Sequence, residues 1–344
     1  MSALATRLLA WFDSHGRHDL PWQHPRSAYR VWVSETMLQQ TQVATVVPYF
    51  LRFVEALPDL AALAAAAPDQ VLALWSGLGY YSRARRLQES ARICMREHGG
   101  ELPRDFDALL ALPGIGRSTA GAILSLAHGL RFPILDGNVR RVLCRWGGVR
   151  GWPGSTQVLS HLWTIAEDAL PHARNDDYTQ ALMDLGATVC TPASPACGRC
   201  PLRDDCIALR DGIAGELPER RPAKSLPERD VHALIVRDNE GRTLLQRRPP
   251  VGVWACLWSL PEAPDITGAT SWLRDRAGAE AFETLPPIRH VFSHFRLRIH
   301  PLLCTPARAR ASIGDTDDLR WQPRDALHEV GLPAPIRKLL EGLD

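Results

Sequence analysis

From residue 1 to about 208, apolar residues recur at spacings of three and four, the period of an amphipathic helix. Proline and glycine cut this pattern into segments. They predict helices over 3–14, 28–44, 47–55, 59–66, 69–75, 81–98, 105–111, 117–128, 138–146, 155–169 and 177–186. No stretch there alternates with period two, so residues 1–208 are expected to form an all-α domain. Residues 209–229 are rich in proline and charge and poor in large apolar side chains, and read as a linker. Beyond them the period switches. Residues 231–237 and 243–248 flank the turn Asp238-Asn239-Glu240-Gly241, a hairpin signal. A helical patch near 269–277, one or two strands in 288–303 and a helix over 334–343 complete a smaller α+β domain, expected over 230–344.

Composition narrows the class. With 344 residues, 45% of them hydrophobic and 23% charged, the chain fits a soluble globular protein of two domains. No apolar run approaches the roughly 20 residues of a membrane span. Residues 1–17 lack the features of a secretory leader and read as a first amphipathic helix, so the expected compartment is the cytoplasm. A net charge of +2 announces no nucleic acid by itself. Positive charge is nevertheless clumped at Arg83, Arg85 and Arg86 and again at Arg140, Arg141 and Arg145. Either clump fits a solvated helix face as well as a phosphate-binding one. No lysine precedes Lys224.

Four of the eight cysteines, Cys190, Cys197, Cys200 and Cys206, fall within 17 residues as C-x6-C-x2-C-x5-C. Such crowding without a secretory signal points to metal rather than disulfides. Four thiolates in one loop can hold tetrahedral zinc or a cubane iron–sulfur cluster. The unequal spacing over 190–206 resembles the 4Fe–4S loop of the endonuclease III superfamily of DNA glycosylases, which implies one such cluster here. Arg199 and Arg203 could meet phosphate beside it.

Pro113-Gly114-Ile115-Gly116 lies between two helical segments, within about 109–128. It suits a tight helix–helix turn, and equally a helix-hairpin-helix whose glycines let backbone N–H groups approach a DNA phosphate. Twenty residues on, Asp136 follows the apolar Phe132-Pro133-Ile134-Leu135, and on local grounds an Asp before Gly-Asn-Val is a helix N-cap. The order of glycine turn, helix, acid, helix and cysteine loop resembles the helix-hairpin-helix glycosylase superfamily across residues 1–208. Bifunctional members carry a lysine two residues after the second glycine. Ser118 stands there, and no side-chain amine is available before Lys224, which favours a monofunctional enzyme that uses water.

The runs 33-VSETMLQQTQV-43, 77-GLGYYSRARRL-87 and 134-ILDGNV-139 closely resemble the adenine DNA glycosylases of the MutY type, a family that removes adenine mispaired with 8-oxoguanine or guanine in duplex DNA. A lone carboxylic acid shielded by Val31, Leu38 and Val46 would keep its proton near neutral pH, which suits Glu35 to protonate adenine. The resemblance implies that Asp136 stays ionised to stabilise the sugar cation, and that Asn138 positions water or Asp136. It further implies that Gln40 and Tyr80 wedge into the duplex, with Thr41 and Leu78 near 8-oxoguanine and Trp22 and Gln180 lining the adenine pocket. Gly114, Gly116 and Ser118 would contact DNA, although the position of Ser118 is sometimes tyrosine in the family. Taken alone, Tyr80-Tyr81 reads as core.

Residues 252–280 are similar to a Nudix domain but offer only Arg274, Asp275 and Arg276 where an active Nudix helix clusters carboxylates for Mg²⁺. A reader is therefore expected rather than a hydrolase. The run 290-HVFSHF-295 is locally a plain amphipathic strand, yet resembles the family's loop in which Phe292, Ser293 and His294 address 8-oxoguanine. A monomer on DNA and away from membranes is expected, associated with the nucleoid if the source is bacterial. Two alternatives remain, a glycosylase with abasic-site lyase activity of the endonuclease III type and a non-catalytic iron–sulfur reader of DNA damage.

Overall fold

The computed structural model describes residues 3–221, 225–279, 281–304 and 315–343. Residues 222–224 of the expected linker and 305–314 of the expected second domain lie outside the described residues. The chain forms two compact units, residues 1–65 with 89–223 and residues 66–88 with 224–344.

Helices run in the order α1 (Ala3–His15), α2 (Ala28–Leu38), α3 (Val43–Ala56), α4 (Leu60–Ala65), α5 (Pro68–Trp75), α6 (Ser82–Glu97), α7 (Phe106–Ala111), α8 (Arg117–Ala122), α9 (Gly137–Trp146), α10 (Thr156–Asp168), α11 (Asn175–Thr188) and α12 (Ile207–Arg210). Their apolar stripes make the core of the first unit. Leu4, Leu8, Leu9 and Phe12 of α1 are buried, as are Val46, Phe50 and Phe53 of α3. The helix expected over 28–44 is broken. α2 stops at Leu38, Gln40 takes a left-handed φ of 60°, and α3 restarts at Val43, earlier than expected, running through Pro48. The uncharged residues Gln39 to Gln42 therefore form an inter-helix turn rather than a helix face. α8 also changes pitch, continuing as a π-turn over Ile123–Ala127, where Ser125 Oγ donates to Asn175 O at 2.8 Å.

Glycine sets two close approaches here. A Cβ on Gly186 of α11 would lie 2.7 Å from Asn138 Cβ, so only glycine lets α11 reach the start of α9. One on Gly121 of α8 would collide with the Pro133 carbonyl in the strap that leads to Asp136.

The second unit contains β1 (Glu228–Val236), β2 (Thr243–Arg247), β3 (Trp258–Ser259), β4 (Glu262–Ala263), α13 (Ile266–Trp272), β5 (Glu283–Thr284), β6 (Ile288–Val291), β7 (Arg296–Cys304), β8 (Leu319–Gln322) and α14 (Ala334–Glu341). One sheet has the order β4-β1-β7-β5, with β6 also paired to β7, and the other is β3-β2-β8. The expected hairpin of β1 and β2 does not form. Its turn does, with the Asp238 carboxylate accepting from Glu240 N, Arg242 N and Arg242 Nε. The strands then touch at a bridge between Arg237 and Thr243 and part. Both edges of β1 are already taken, by antiparallel β4 and by parallel β7, which pairs from Glu228↔Arg296 to Val236↔Cys304.

Period-two alternation divides the core of this unit. Ala233 and Ile235 pack with Leu297, Ile299, Trp258 and α14, whereas Leu234 and Val236 pack with Leu302, Cys304 and the α13 side. Residues 66–88 are tied to the same unit. Asp69 accepts from Arg247 Nη2 at 3.0 Å and Trp258 Nε1 at 3.2 Å, and Tyr81 OH donates to Leu332 O at 2.8 Å. Among the described residues no helix is long and apolar enough to cross a membrane.

Candidate active site

Glu35 lies on α2 among Val31, Trp32, Val33, Thr36 and Met37, all buried. It keeps a narrow opening to solvent but sits deep in protein, and burial together with the nearby Asp136 charge pushes its pKa up to about 8. Among the described residues no hydrogen-bond donor faces its carboxyl. Asp136 has different company. It caps α9, with its carboxylate accepting from Val139 N at 2.7 Å. Burial raises its pKa as well, but the N–H groups of Val139 and Asn138 and the charges of Arg141 and Arg140 pull the other way. Of two neighbouring acids, the one without donors is the better holder of a proton, and the capped one is the better held as a carboxylate.

The residues around this pair are mostly committed. Ser118 Oγ accepts from Leu135 N at 3.0 Å, tethering the strap that carries Asp136. Asn138 Oδ1 accepts from Arg141 Nη2 at 2.8 Å, and Arg141 also donates to Gly186 O and Cys190 O. Gln180 Nε2 donates to Asp184 Oδ1 at 2.8 Å, and Asp184 is fully buried, its Oδ1 also accepting from Arg17 Nε and Nη2 and its Oδ2 from Arg17 N. Trp22 is buried, its ring edge-on to Phe50 at 5.4 Å. Gly114 has φ +83°, and Gly116 caps α8 with nothing within 4 Å of where a Cβ would stand. Backbone N–H groups at that helix start are open to an incoming anion.

Two residues expected to meet the duplex share an uncommon conformation. Gln40, in the first unit, and Tyr80, in the second, both have positive φ, 60° and 48°, and both are exposed. Left-handed backbone in a bulky non-glycine residue is strained and concentrates at functional sites. Tyr80 follows Gly77 and Gly79, also at positive φ, and Arg83 fixes the turn by donating to Leu78 O and Gly79 O. Leu78 itself is buried, and Thr41 Oγ1 donates to Gln39 O.

All four clustered cysteines line one cavity with Arg145, Val189 and Pro195. Burial raises the Cys200 thiol to about 11 and lifts Cys206 too, so thiolates here need a positively charged group beside them. Among the described residues no three acidic, histidine or cysteine side chains converge tightly enough to hold a single ion. Four thiols around one cavity supply the sulfur donors that zinc or an iron–sulfur cluster takes. Arg145 is a correction to the sequence expectation of a solvated or phosphate-facing clump. It is 2% exposed and donates to Leu217 O, Thr191 O and Pro192 O, because the cysteine loop folds over it.

Family models match residues 33–168 as an HhH-GPD superfamily base excision DNA repair protein and residues 232–342 as a NUDIX domain. The Adenine DNA glycosylase of Buchnera aphidicola from Acyrthosiphon pisum is 36% identical over 97% of this chain and 95% of its own. The chain belongs to the adenine DNA glycosylase family. The human Adenine DNA glycosylase is 35% identical over 98% of this chain and 73% of its own. A solved thermostable thymine-DNA glycosylase covers 60% of this chain and 95% of its own at 28% identity and a TM-score of 0.55. An endonuclease III–DNA complex at 23% identity, covering 61% of this chain and 95% of its own with a TM-score of 0.52, shares the fold.

In the second unit of this glycosylase, Phe292, Ser293 and His294 sit at the tip between β6 and β7. Phe292 N donates to Phe295 O at 2.9 Å, closing the turn, and Ser293 and His294 are exposed. Phe292 is clasped by Trp254, His290 and Phe295, with ring centroids 5.5, 4.6 and 4.6 Å away. Sequence reasoning missed Trp254, whose φ of 56° no local pattern signals. It also missed Arg141, although a spacing of three from Asn138 puts both on one helix face.

Proposed function

We propose that this glycosylase hydrolyses the bond between deoxyribose C1′ and adenine N9 when adenine lies opposite 8-oxoguanine or guanine in duplex DNA, and that it does so without cleaving the strand. Supporting it is the Glu35–Asp136 pair, one carboxyl held protonated near neutral pH and the other capped by backbone N–H groups.

The adenine is first taken out of the base stack. Glu35 donates its proton to N7, so the C1′–N9 electron pair leaves with a neutral base. Asp136 carboxylate stabilises the cation left at C1′. Water adds to C1′ and its proton passes to the Glu35 carboxylate, restoring the acid. Arg141 holds Asn138, and through it the face on which water arrives. Gln40 and Tyr80 fill the vacated stack, and Gly114 and Gly116 bring backbone N–H groups to a phosphate. Ser118, which serves the strap, leaves no amine for a Schiff base, which speaks for a monofunctional enzyme.

Cys190, Cys197, Cys200 and Cys206 hold one 4Fe–4S cluster in this proposal, supplying a covalent staple for the loop that carries Arg199 and Arg203. Phe292, Ser293 and His294 read 8-oxoguanine, the hydroxyl addressing N7–H and O8. The enzyme acts as a monomer in the cytoplasm.

The test is single-turnover reaction of a duplex with one 8-oxoguanine:adenine pair, beside 8-oxoguanine:cytosine, each read with and without alkali. Scission of the adenine strand after alkali alone is expected. Scission without alkali would establish lyase activity, and tight binding with no abasic site would leave a damage reader.

A further inference from the structure

Glu228, Arg229 and Asp230 at the start of β1 are exposed, as are Arg289 and Val291 of β6 and Arg296 of β7 beside the hairpin tip. Register places Glu228 and Asp230 beside Arg296 and Arg298, while on the other side of β7 Arg289 lies directly opposite Arg298 and Val291 opposite Arg296. Together Glu228, Arg289, Val291, Arg296 and Arg298 line a cleft. Like charges facing across strands are destabilising, so the Arg289–Arg298 pair is a local liability.

The carboxylates present do not balance it. Glu228 is shared, 3.7 Å from Arg296 Nη1 and 3.4 Å from Arg298 Nη2. Asp230 is nearer His300, at 2.7 Å from Nε2, than Arg298, at 3.9 Å from Nε. Arg289 has no ion pair or side-chain hydrogen bond among the described residues. Three guanidinium groups thus have against them only Glu228 and the more distant Asp230, in a cleft that an anion with several oxygens would complete. Val291, 64% exposed at its edge, offers an apolar surface of the kind a sugar ring covers. Both strands of the cleft run straight into the Phe292–Phe295 turn.

We infer that this cleft binds a backbone phosphate of the strand whose base Ser293 reads, with Arg289 and Arg298 as the donors and Glu228 as a brake on affinity. This rests on the proposal that the 292–294 loop reads 8-oxoguanine. Sequence-independent phosphate contacts fix register, and this one would set the depth at which the loop enters the duplex.

Binding of the full-length protein to a duplex pairing 8-oxoguanine with a non-cleavable adenine analogue is measured across salt. Each of Arg289→Gln and Arg298→Gln is expected to lower the slope of log affinity against log salt by about one. Between about 50 and 200 mM salt, wild type then loses about 3.5-fold more affinity than either variant. Methylphosphonates at the phosphates flanking 8-oxoguanine are expected to weaken wild type and to leave the double variant nearly unaffected, and Glu228→Gln to tighten binding. Equal salt slopes overturn the inference. So does a methylphosphonate loss that the double variant shares in full, which is also the outcome for a cleft that takes free phosphate. Ser293→Ala tests the underlying proposal separately: an unchanged preference for 8-oxoguanine over guanine sinks the loop's role, while the salt slope still decides the phosphate site.

Discussion

Glu35 and Asp136, the latter the cap of α9, lie deep in the first unit, whereas Ser293 and His294 stand in solvent at the tip of a hairpin in the second. The contrast fits the role proposed for each. An acid that protonates a poor base has to be desolvated to keep its proton at neutral pH, so its surroundings must be rigid and dry. A hydroxyl proposed to distinguish two nucleobases has to reach them, and Ser293 is exposed beside Phe292, which packs on Trp254, His290 and Phe295. Rigidity serves both sites, but burial serves only one.

The sharpest way to break this division is Glu35→Gln, which keeps the shape and removes the proton. Single-turnover excision is expected to fall by about a thousandfold or more with duplex binding retained, in line with loss of a general acid. Retained activity would move the chemistry away from this residue.

Acidity provides the next test. With its pKa raised to about 8, Glu35 is a competent acid below that pH, and the excision rate should fall about tenfold per unit above it. The same shift acts on stability. The folded state holds a proton that the unfolded chain gives up near pH 4.5, so stability declines as pH rises from there to about 8. Glu35→Gln should abolish that decline and be more stable than wild type at pH 9, by roughly a few kcal/mol, in chemical denaturation. Parallel pH curves for the two proteins would show that burial does not strain this acid.

Packing effects should be smaller. Gly186→Ala drives a methyl group against Asn138 and its backbone, and should lower stability by about 1–3 kcal/mol while slowing excision through displacement of Asn138. Ser118→Ala removes the acceptor for Leu135 N and should cost about 1 kcal/mol, seen as a lower thermal midpoint, with no gain of lyase activity. On the exposed side, Ser293→Ala is expected to reduce the preference for 8-oxoguanine over guanine a few-fold and leave thermal stability unchanged.

Much of this was legible in the chain, and the limits are physical. Helical periodicity marked the helices because each carries one wet face, and Glu35 stood out because its helix carries no other acid. The break at Gln40 was not legible, since a left-handed φ on glutamine has no compositional mark. Local chemistry gave the Asp238 turn correctly and the hairpin wrongly, because pairing of β1 is decided by β4 and β7, which lie far along the chain. The N-cap expected of Asp136 on local grounds is present, and its N–H groups favour the charged form that the proposed role calls for. Arg141 and Arg145 looked like surface charge because sequence does not show that the cysteine loop closes over them.

Residues 66–88 leave the first unit and return to it, packing meanwhile with residues from beyond 224. A single cut in the chain therefore cannot yield the two units intact, and a fragment ending near residue 220 would expose the faces of Leu72 and Tyr81 that Gly331 and Leu332 meet. The excursion also assigns Tyr80 to the body that carries Ser293. In the proposed reading, then, the residues that meet the lesion are gathered from two separate stretches of the chain into one unit, and the two carboxyls that remove its partner base stay in the other.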